Sequence, residues 1–212
     1  MKKIVIIGAG GNSKVIADAV KERMKNGSEE LELVGFLDDD PVKESFLGLP
    51  ILGHTDSAES LASIHSYWYI NGIGNNETRK RMFQEMRINY YTLIHPSAII
   101  AQDVIIGEGC VIMPGAIVNA GTRIGNGTLI NTGAIIEHDN KIGDFVHVAS
   151  GTVTAGNVCI GEMTMLGTGT RVIQGLNIGS RTMIGAGAVV VNDIPDRCTA
   201  VGVPARVIKH SI

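Results

Sequence analysis

The sequence predicts two domains of unlike construction: an open α/β domain with a small parallel sheet over residues 1–96, and a parallel β-helix over residues 97–212. Three observations lead there. Short apolar runs alternate with helical patterns in the first part of the chain. From Ala98 to Asp193 the chain divides into sixteen consecutive hexads without a phase slip. Glycine is abundant, 27 of 212 residues, while aromatics make up only 4%. That composition suits tight turns and small aliphatic contacts better than the aromatic-rich core of a sandwich or bundle.

In the first domain, the apolar run Lys3 to Ile7 meets Gly8-Ala9-Gly10-Gly11, and a helical pattern follows with Val15, Ile16, Ala19 and Val20 on one face. Leu33 to Leu37 is a second strand, closing on Asp38-Asp39-Asp40. A short strand at Pro50 to Leu52, a helix from Asp56, a strand at Tyr67 to Ile73, a helix over Asn75 to Ile88 and a strand at Tyr90 to Ile94 complete it. Strands separated by helices imply parallel pairing, which makes the domain Rossmann-like. The turn Gly8-Ala9-Gly10 lacks the third glycine of a dinucleotide fingerprint, so it is a poor argument for NAD. It still feeds a helix N-terminus, where free N–H groups and the helix dipole favour a phosphate. Ligands of open α/β sheets bind at the carboxyl ends of the strands, and Gly10, Gly11, Asn12, Asp38, Asp39 and Gly74 fall there. Asp38 and Asp39 are candidates to attract an ammonium group, and Asn75 and Arg79 to reach a nucleotide.

In the hexads, position three is Ile, Val or Leu in fifteen of sixteen, Thr154 being the exception. Position six is Gly, Asp or Asn in thirteen; these residues tolerate the left-handed backbone that a sharp corner needs. Each hexad supplies one strand and one corner, so eighteen residues make a coil of three flat faces. Position three points inward and stacks on its counterpart one coil up. Position one also faces the narrow interior and is mostly Ala, Thr, Val or Cys. Stacking buries a continuous column that no single coil can bury alone. After Asp193 the repeat stops, and an irregular cap through Cys198 to Arg206 is expected to shield the open end from edge-to-edge pairing.

The formal net charge of −3 leaves no electrostatic footprint for nucleic acid. No apolar run is long enough to span a membrane, and the run after Met1-Lys2-Lys3 is too short for a signal peptide. Cys110, Cys159 and Cys198 lack metal-like spacing and read as small apolar fillers in a reducing compartment. A cytoplasmic enzyme without a metal is the expectation.

The chemistry is expected in the hexad Ala134–Asp139, where Glu137-His138-Asp139 interrupts the small-residue corners. Histidine titrates near neutrality, which suits it to take a proton from a reacting group as a general base. A neighbouring carboxylate fixes the imidazole tautomer and stabilises the imidazolium. His138 is therefore the candidate base and Asp139 its orienter. Gly156 follows His138 by eighteen residues, so the solenoid stacks it one coil above; its N–H is placed to hold a developing oxyanion. His147 lies nine residues from His138, one and a half faces around the coil, so the two histidines point apart within one chain. They serve one site only across a subunit boundary.

Residues 98–206 resemble the hexapeptide-repeat acyltransferases, down to the closing Val201-Gly202-Val203-Pro204-Ala205-Arg206. The N-terminal signatures Gly8-Ala9-Gly10-Gly11, Leu37-Asp38-Asp39, Ile73-Gly74-Asn75-Asn76-Glu77-Thr78-Arg79 and Ile94-His95-Pro96-Ser97-Ala98 resemble the subgroup that N-acetylates nucleotide-linked 4-amino sugars, a layout shared with sialic acid O-acetyltransferases. The resemblance implies a left-handed coil sense, acetyl-CoA as co-substrate, a UDP-sugar acceptor and a homotrimer with active sites at its interfaces. It also implies coenzyme contacts at His147, Gly156, Thr168 and Ala186, although Ala186 stands where the subgroup has glycine. Asn12 stands where the subgroup usually has histidine. The competing readings are a sugar O-acetyltransferase and, from another class, a non-catalytic β-helix scaffold or a metalloprotein of the same fold. The metal version needs three converging histidines, and only His138 and His147 lie in the repeat.

Overall fold

The structure, a computed structural model, describes residues 1–210 except 28, 41 and 43. The chain divides into two compact units, residues 1–96 and 97–212.

In the first unit, β1 (Lys2–Ile7) lies between β2 (Leu31–Leu37) and a strand formed by Trp68–Asn71 in a four-stranded sheet whose pairs are all parallel. Ile4, Val5, Ile6 and Ile7 are all fully buried, because helices and loops cover both faces of a parallel sheet. The helix α1 (Gly11–Asn26) buries Ser13, Ile16, Ala17, Ala19 and Val20. Val15 departs from expectation: it is 42% exposed, since the buried stripe runs through Ser13, Ile16, Ala17 and Val20 at helical spacing and leaves Val15 at the rim. Gly27 ends α1 in the left-handed conformation, φ 71°.

The strand expected at Pro50 to Leu52 is instead half of a small hairpin, β3 (Ser45–Phe46) with β4 (Leu49–Pro50). Leu47 and Gly48 between them both have positive φ, as a two-residue hairpin turn requires. Ile51 bridges to the main sheet at Phe36. After α2 (Ala58–His65) and β5 (Trp68–Asn71), α3 covers Asn76–Glu85 with Asn75 as its cap, Oδ1 accepting from the Thr78 N–H at 2.9 Å. The run Tyr90 to Ile94 breaks into β6 (Asn89–Tyr90), which joins the sheet, and β7 (Leu93–Ile94).

In the second unit every hexad carries a two-residue strand at positions two and three, from Ile99–Ile100 to Val189–Val190. Parallel pairing joins residues eighteen apart, such as Ile117 with Ile135, Arg123 with Lys141 and Leu129 with His147. The first face contains Ile135–Ile136, the second Lys141–Ile142 and the third His147–Val148. Position three is buried in every coil from Ile112 to Val190. Position six is left-handed in fourteen of the sixteen hexads, including Phe145, Met163 and Arg181, where the residue type does not favour it. Stacking of neighbouring coils sets the corner there and overrides the local preference.

Two ladders knit the coils. Buried threonines at position one donate to a carbonyl fifteen residues ahead, as Thr128 does to Gly143 at 2.9 Å and Thr164 to Gly179 at 2.6 Å. Along the corner that follows the second face, side chains fold down onto the coil below: Asn126 Oδ1 accepts from the Glu108 N–H at 2.9 Å, and Asp144 Oδ1 from the Asn126 N–H at 2.7 Å. This explains the glycine column at position four, because a Cβ on Gly125 would strike Asp144. The cap is more regular than expected. Cys198–Val201 extends the third face, with Thr199 beside Met183, and pairs antiparallel with Arg206–His210.

Candidate active site

His138 stands at the corner between the first and second faces, next to Asp139, whose left-handed φ of 59° turns the chain. His138 Nδ1 lies 2.8 Å from Asp139 Oδ2, and both side chains are more than half exposed. A hydrogen bond at Nδ1 leaves Nε2 as the nitrogen able to accept a proton. Gly121, one coil below, makes room for the carboxylate, since a Cβ there would meet Asp139 Oδ1. Gly156 makes room for the imidazole: a Cβ on it would lie 2.5 Å from both Cε1 and Nε2 of His138. Among the described residues, no group accepts a hydrogen bond from the Gly156 N–H. An open pocket of about 380 Å³ is lined here by His138, Gly156, Asn157, Gln174 and Gly175.

The structure thus brings His138, Asp139 and Gly156 together. His147 is on the third face, opposite that corner, with Nε2 3.4 Å from Asn131 Nδ2. Thr168 and Ala186 are exposed on the corner between the third and first faces. They lie on His147's side of the solenoid, away from His138.

In the first unit the candidate residues gather at the carboxyl ends of β1, β2 and β5. Ala9 N–H donates to Asp38 Oδ2 at 2.6 Å, and Asn12 Nδ2 to the Gly72 carbonyl at 3.0 Å. Gly10 caps α1 without a side chain, so Gly11 and Asn12 begin the helix with their N–H groups directed outward. The acidic pair also makes contacts within its own loops. Asp38 Oδ1 also accepts from the Asp40 N–H at 3.0 Å. Asp39 accepts from Thr55 N–H and Oγ1 at 2.9 and 3.1 Å and has His54 Nδ1 at 3.3 Å. These carboxylates order the loops. Arg79 is likewise internal, 3% exposed, donating to the carbonyls of Ile73 and Gly74 at 3.3 Å and to Asn76 Oδ1 at 2.9 Å. It braces the Gly74-Asn75 loop from beneath.

Sequence reasoning passed over Asn131, Asn157, Gln174 and the buried Asn140. Gln174 was accessible from the period, standing two coils above His138. Asn140 was visible as the single carboxamide at position one. Among the described residues, no group of three or more His, Cys, Asp and Glu is placed to hold a metal ion. No helix among them is long and apolar enough to cross a membrane.

Residues 3–86 match the family described as the PglD N-terminal domain. A UDP-N-acetylbacillosamine N-acetyltransferase of Bacillus subtilis is 39% identical over 119 residues. That match covers 52% of this chain and 51% of the relative, so only about half of its length is spanned. Solved structures match over nearly the full length. A histidine-to-asparagine variant of perosamine N-acetyltransferase from Caulobacter crescentus, in complex with CoA and GDP-perosamine, is 35% identical with a TM-score of 0.90, covering 99% of this chain and 98% of that one. The acetyltransferase domain of PglB from Neisseria gonorrhoeae, in complex with acetyl coenzyme A, is 36% identical with a TM-score of 0.89, covering 98% and 99%. The chain belongs to the hexapeptide-repeat, left-handed β-helix family of nucleotide-amino-sugar N-acetyltransferases.

Proposed function

We propose that this chain is a cytoplasmic, acetyl-CoA-dependent N-acetyltransferase acting on the 4-amino group of a UDP-linked amino sugar in bacterial glycan synthesis, with His138 as general base. The observation that carries the reading is the His138–Asp139 pair, 2.8 Å apart, with the imidazole over Gly156 at an open pocket. The acceptor nitrogen adds to the thioester carbonyl to form the C–N bond and an oxyanion, His138 Nε2 takes the proton lost by nitrogen, and collapse of the adduct breaks the C–S bond. Asp139 stabilises the imidazolium, which returns the proton to the departing thiolate. The Gly156 N–H stabilises the oxyanion. No step calls for a metal.

A homotrimer fits the distribution of side chains. Outward positions left open are largely apolar on the first face (Ile99, Ile117, Ile135 and Val153, with Arg171 the exception) and include Met165 and Met183 on the third, where Val111 and Leu129 are already buried within the chain. The second face carries Arg123, Lys141 and Asn177. Packing first against third faces would set the His138 corner of one protomer beside the His147 face of the next. It would bring His147, Thr168 and Ala186 toward the coenzyme. The acceptor's phosphates would bind at Gly10, Gly11 and Asn12, with Gly74 and Asn75 beside them. The Bacillus relative supports UDP, and the perosamine enzyme makes GDP the competing nucleotide.

Coenzyme A release with UDP- and GDP-linked 4-amino sugars and a sialic acid tests the assignment. Turnover with a UDP-amino sugar is expected. Turnover only with the GDP-sugar would overturn the nucleotide, and turnover only with sialic acid would move the chemistry to oxygen.

A further inference from the structure

We propose that Asn140 is a positioning residue that fixes the backbone of the catalytic corner from inside the solenoid; this rests on the reading of His138 as the base. Position one of the other fifteen hexads is Ala, Val, Cys, Thr or Leu. Asn140 is the lone carboxamide, and it is fully buried. Its Nδ2 donates to the Ala155 carbonyl at 2.9 Å, fifteen residues ahead, the same inter-coil bond that the threonines make. It also donates to the Glu137 carbonyl at 2.6 Å and approaches the His138 carbonyl at 3.3 Å.

Those two carbonyls belong to the peptide groups on either side of the His138 Cα. With one hydrogen on the Ala155 carbonyl and the other on the Glu137 carbonyl, shared at longer range with that of His138, the carboxamide ties the corner to the coil that carries Gly156. Its NH₂ has two hydrogens, so it satisfies the inter-coil acceptor and the corner together. A threonine hydroxyl has one hydrogen to share between them: Thr170 Oγ1 lies 2.7 Å from the Gly167 carbonyl and 3.3 Å from the Gly185 carbonyl, so only one of the two bonds is full. At a corner that already takes a left-handed turn at Asp139, the clamp limits the positions the His138 ring can adopt.

This difference separates a structural role from a positioning one. Asn140→Thr has a single hydrogen for the inter-coil bond and the corner, where Thr122 Oγ1 also donates to the Glu137 carbonyl at 3.1 Å, and so weakens the clamp; Thr152→Val removes an ordinary ladder bond, to the Gly167 carbonyl at 3.2 Å. Both would be assayed for coenzyme A release well below their melting temperatures, beside His138→Ala. The expected result is a loss in kcat of about tenfold or more for Asn140→Thr, because small misplacements of a reacting group are costly. Its KM for acetyl-CoA should stay within about twofold of the parent value, and Thr152→Val should keep full kcat per folded molecule. Full kcat in Asn140→Thr with His138→Ala inactive would overturn the role of Asn140 alone. Full kcat in His138→Ala would remove the base reading on which it rests. Failure of Asn140→Thr to fold, or a kcat loss matched by Thr152→Val, would make Asn140 a fold determinant and overturn the proposal.

Discussion

Gly156→Ala should give a protein that folds but is much less active. The added Cβ would lie 2.5 Å from Cε1 and Nε2 of His138, where carbon contacts settle at about 3.5–4.0 Å. The ring must therefore retreat by roughly 1 Å or leave its rotamer and break the 2.8 Å bond to Asp139. A misplacement of that size costs on the order of 10²-fold in rate. The backbone raises no objection, since Gly156 does not occupy the left-handed region; the gain of about 0.4–1 kcal/mol from restricting the unfolded chain is offset by displacing the ring, so the melting temperature should stay near the parent's. Steady-state thiol release and thermal melting on the same preparation read both effects. Parent-level kcat in Gly156→Ala would refute the reasoning, because the ring's seat over this glycine would then be irrelevant to turnover.

Other outcomes follow from the same geometry. Gly133→Ala is the converse case: its φ of 64° is left-handed and nothing lies within 4 Å of the added carbon, so melting should reveal a loss of about 1–2 kcal/mol from backbone strain with kcat unchanged. Asp139→Asn should fold normally, since asparagine tolerates the left-handed corner, yet lower kcat at least about tenfold by removing the imidazolium's partner. Ile117→Glu or Met165→Glu, on the two apolar faces, should yield monomers by sedimentation and abolish activity together. Around Glu29, burial raises the carboxyl pKa, but hydrogen bonds from Lys2 and Tyr91 and the charges of Lys2 and Arg23 outweigh it and hold the group below its ordinary 4.5. A depressed folded pKa stabilises above the unfolded value and is lost as pH falls through the folded one. Melting of the parent should therefore drop more steeply below pH 4.5 than that of Glu29→Gln.

The second unit was legible almost residue by residue, because a solenoid repeats one steric problem and each hexad answers it in the same phase. Even so, Phe145, Met163 and Arg181 look like breaks in the corner pattern when read as letters. They take the same left-handed backbone as the glycines around them, since neighbouring coils dictate the turn. The pairing of His138 with Asp139 and the stacking of Gly156 followed from adjacency and period. The role of Asn140 did not, because its three carbonyl contacts arise only once the interior is assembled. The first unit was harder. The acidic charge of Asp38 and Asp39 and the length of Arg79 suggested ligand contacts. Nothing in the letters reveals that Asp38 receives the Ala9 N–H or that Arg79 turns inward to carbonyls. Such loop contacts depend on tertiary placement, as does the hairpin turn at Leu47-Gly48.

The central claim is that His138 moves the proton during acetyl transfer. Its most direct test is the kcat for coenzyme A release by His138→Ala with saturating acetyl-CoA and a UDP-linked 4-amino sugar, alongside calorimetric binding of acetyl-CoA. A general base contributes about 10²–10⁴-fold, so the account predicts a fall in kcat of that size with coenzyme affinity preserved. Near-parent kcat in the variant would contradict it and leave the Asp139-paired histidine without a catalytic part.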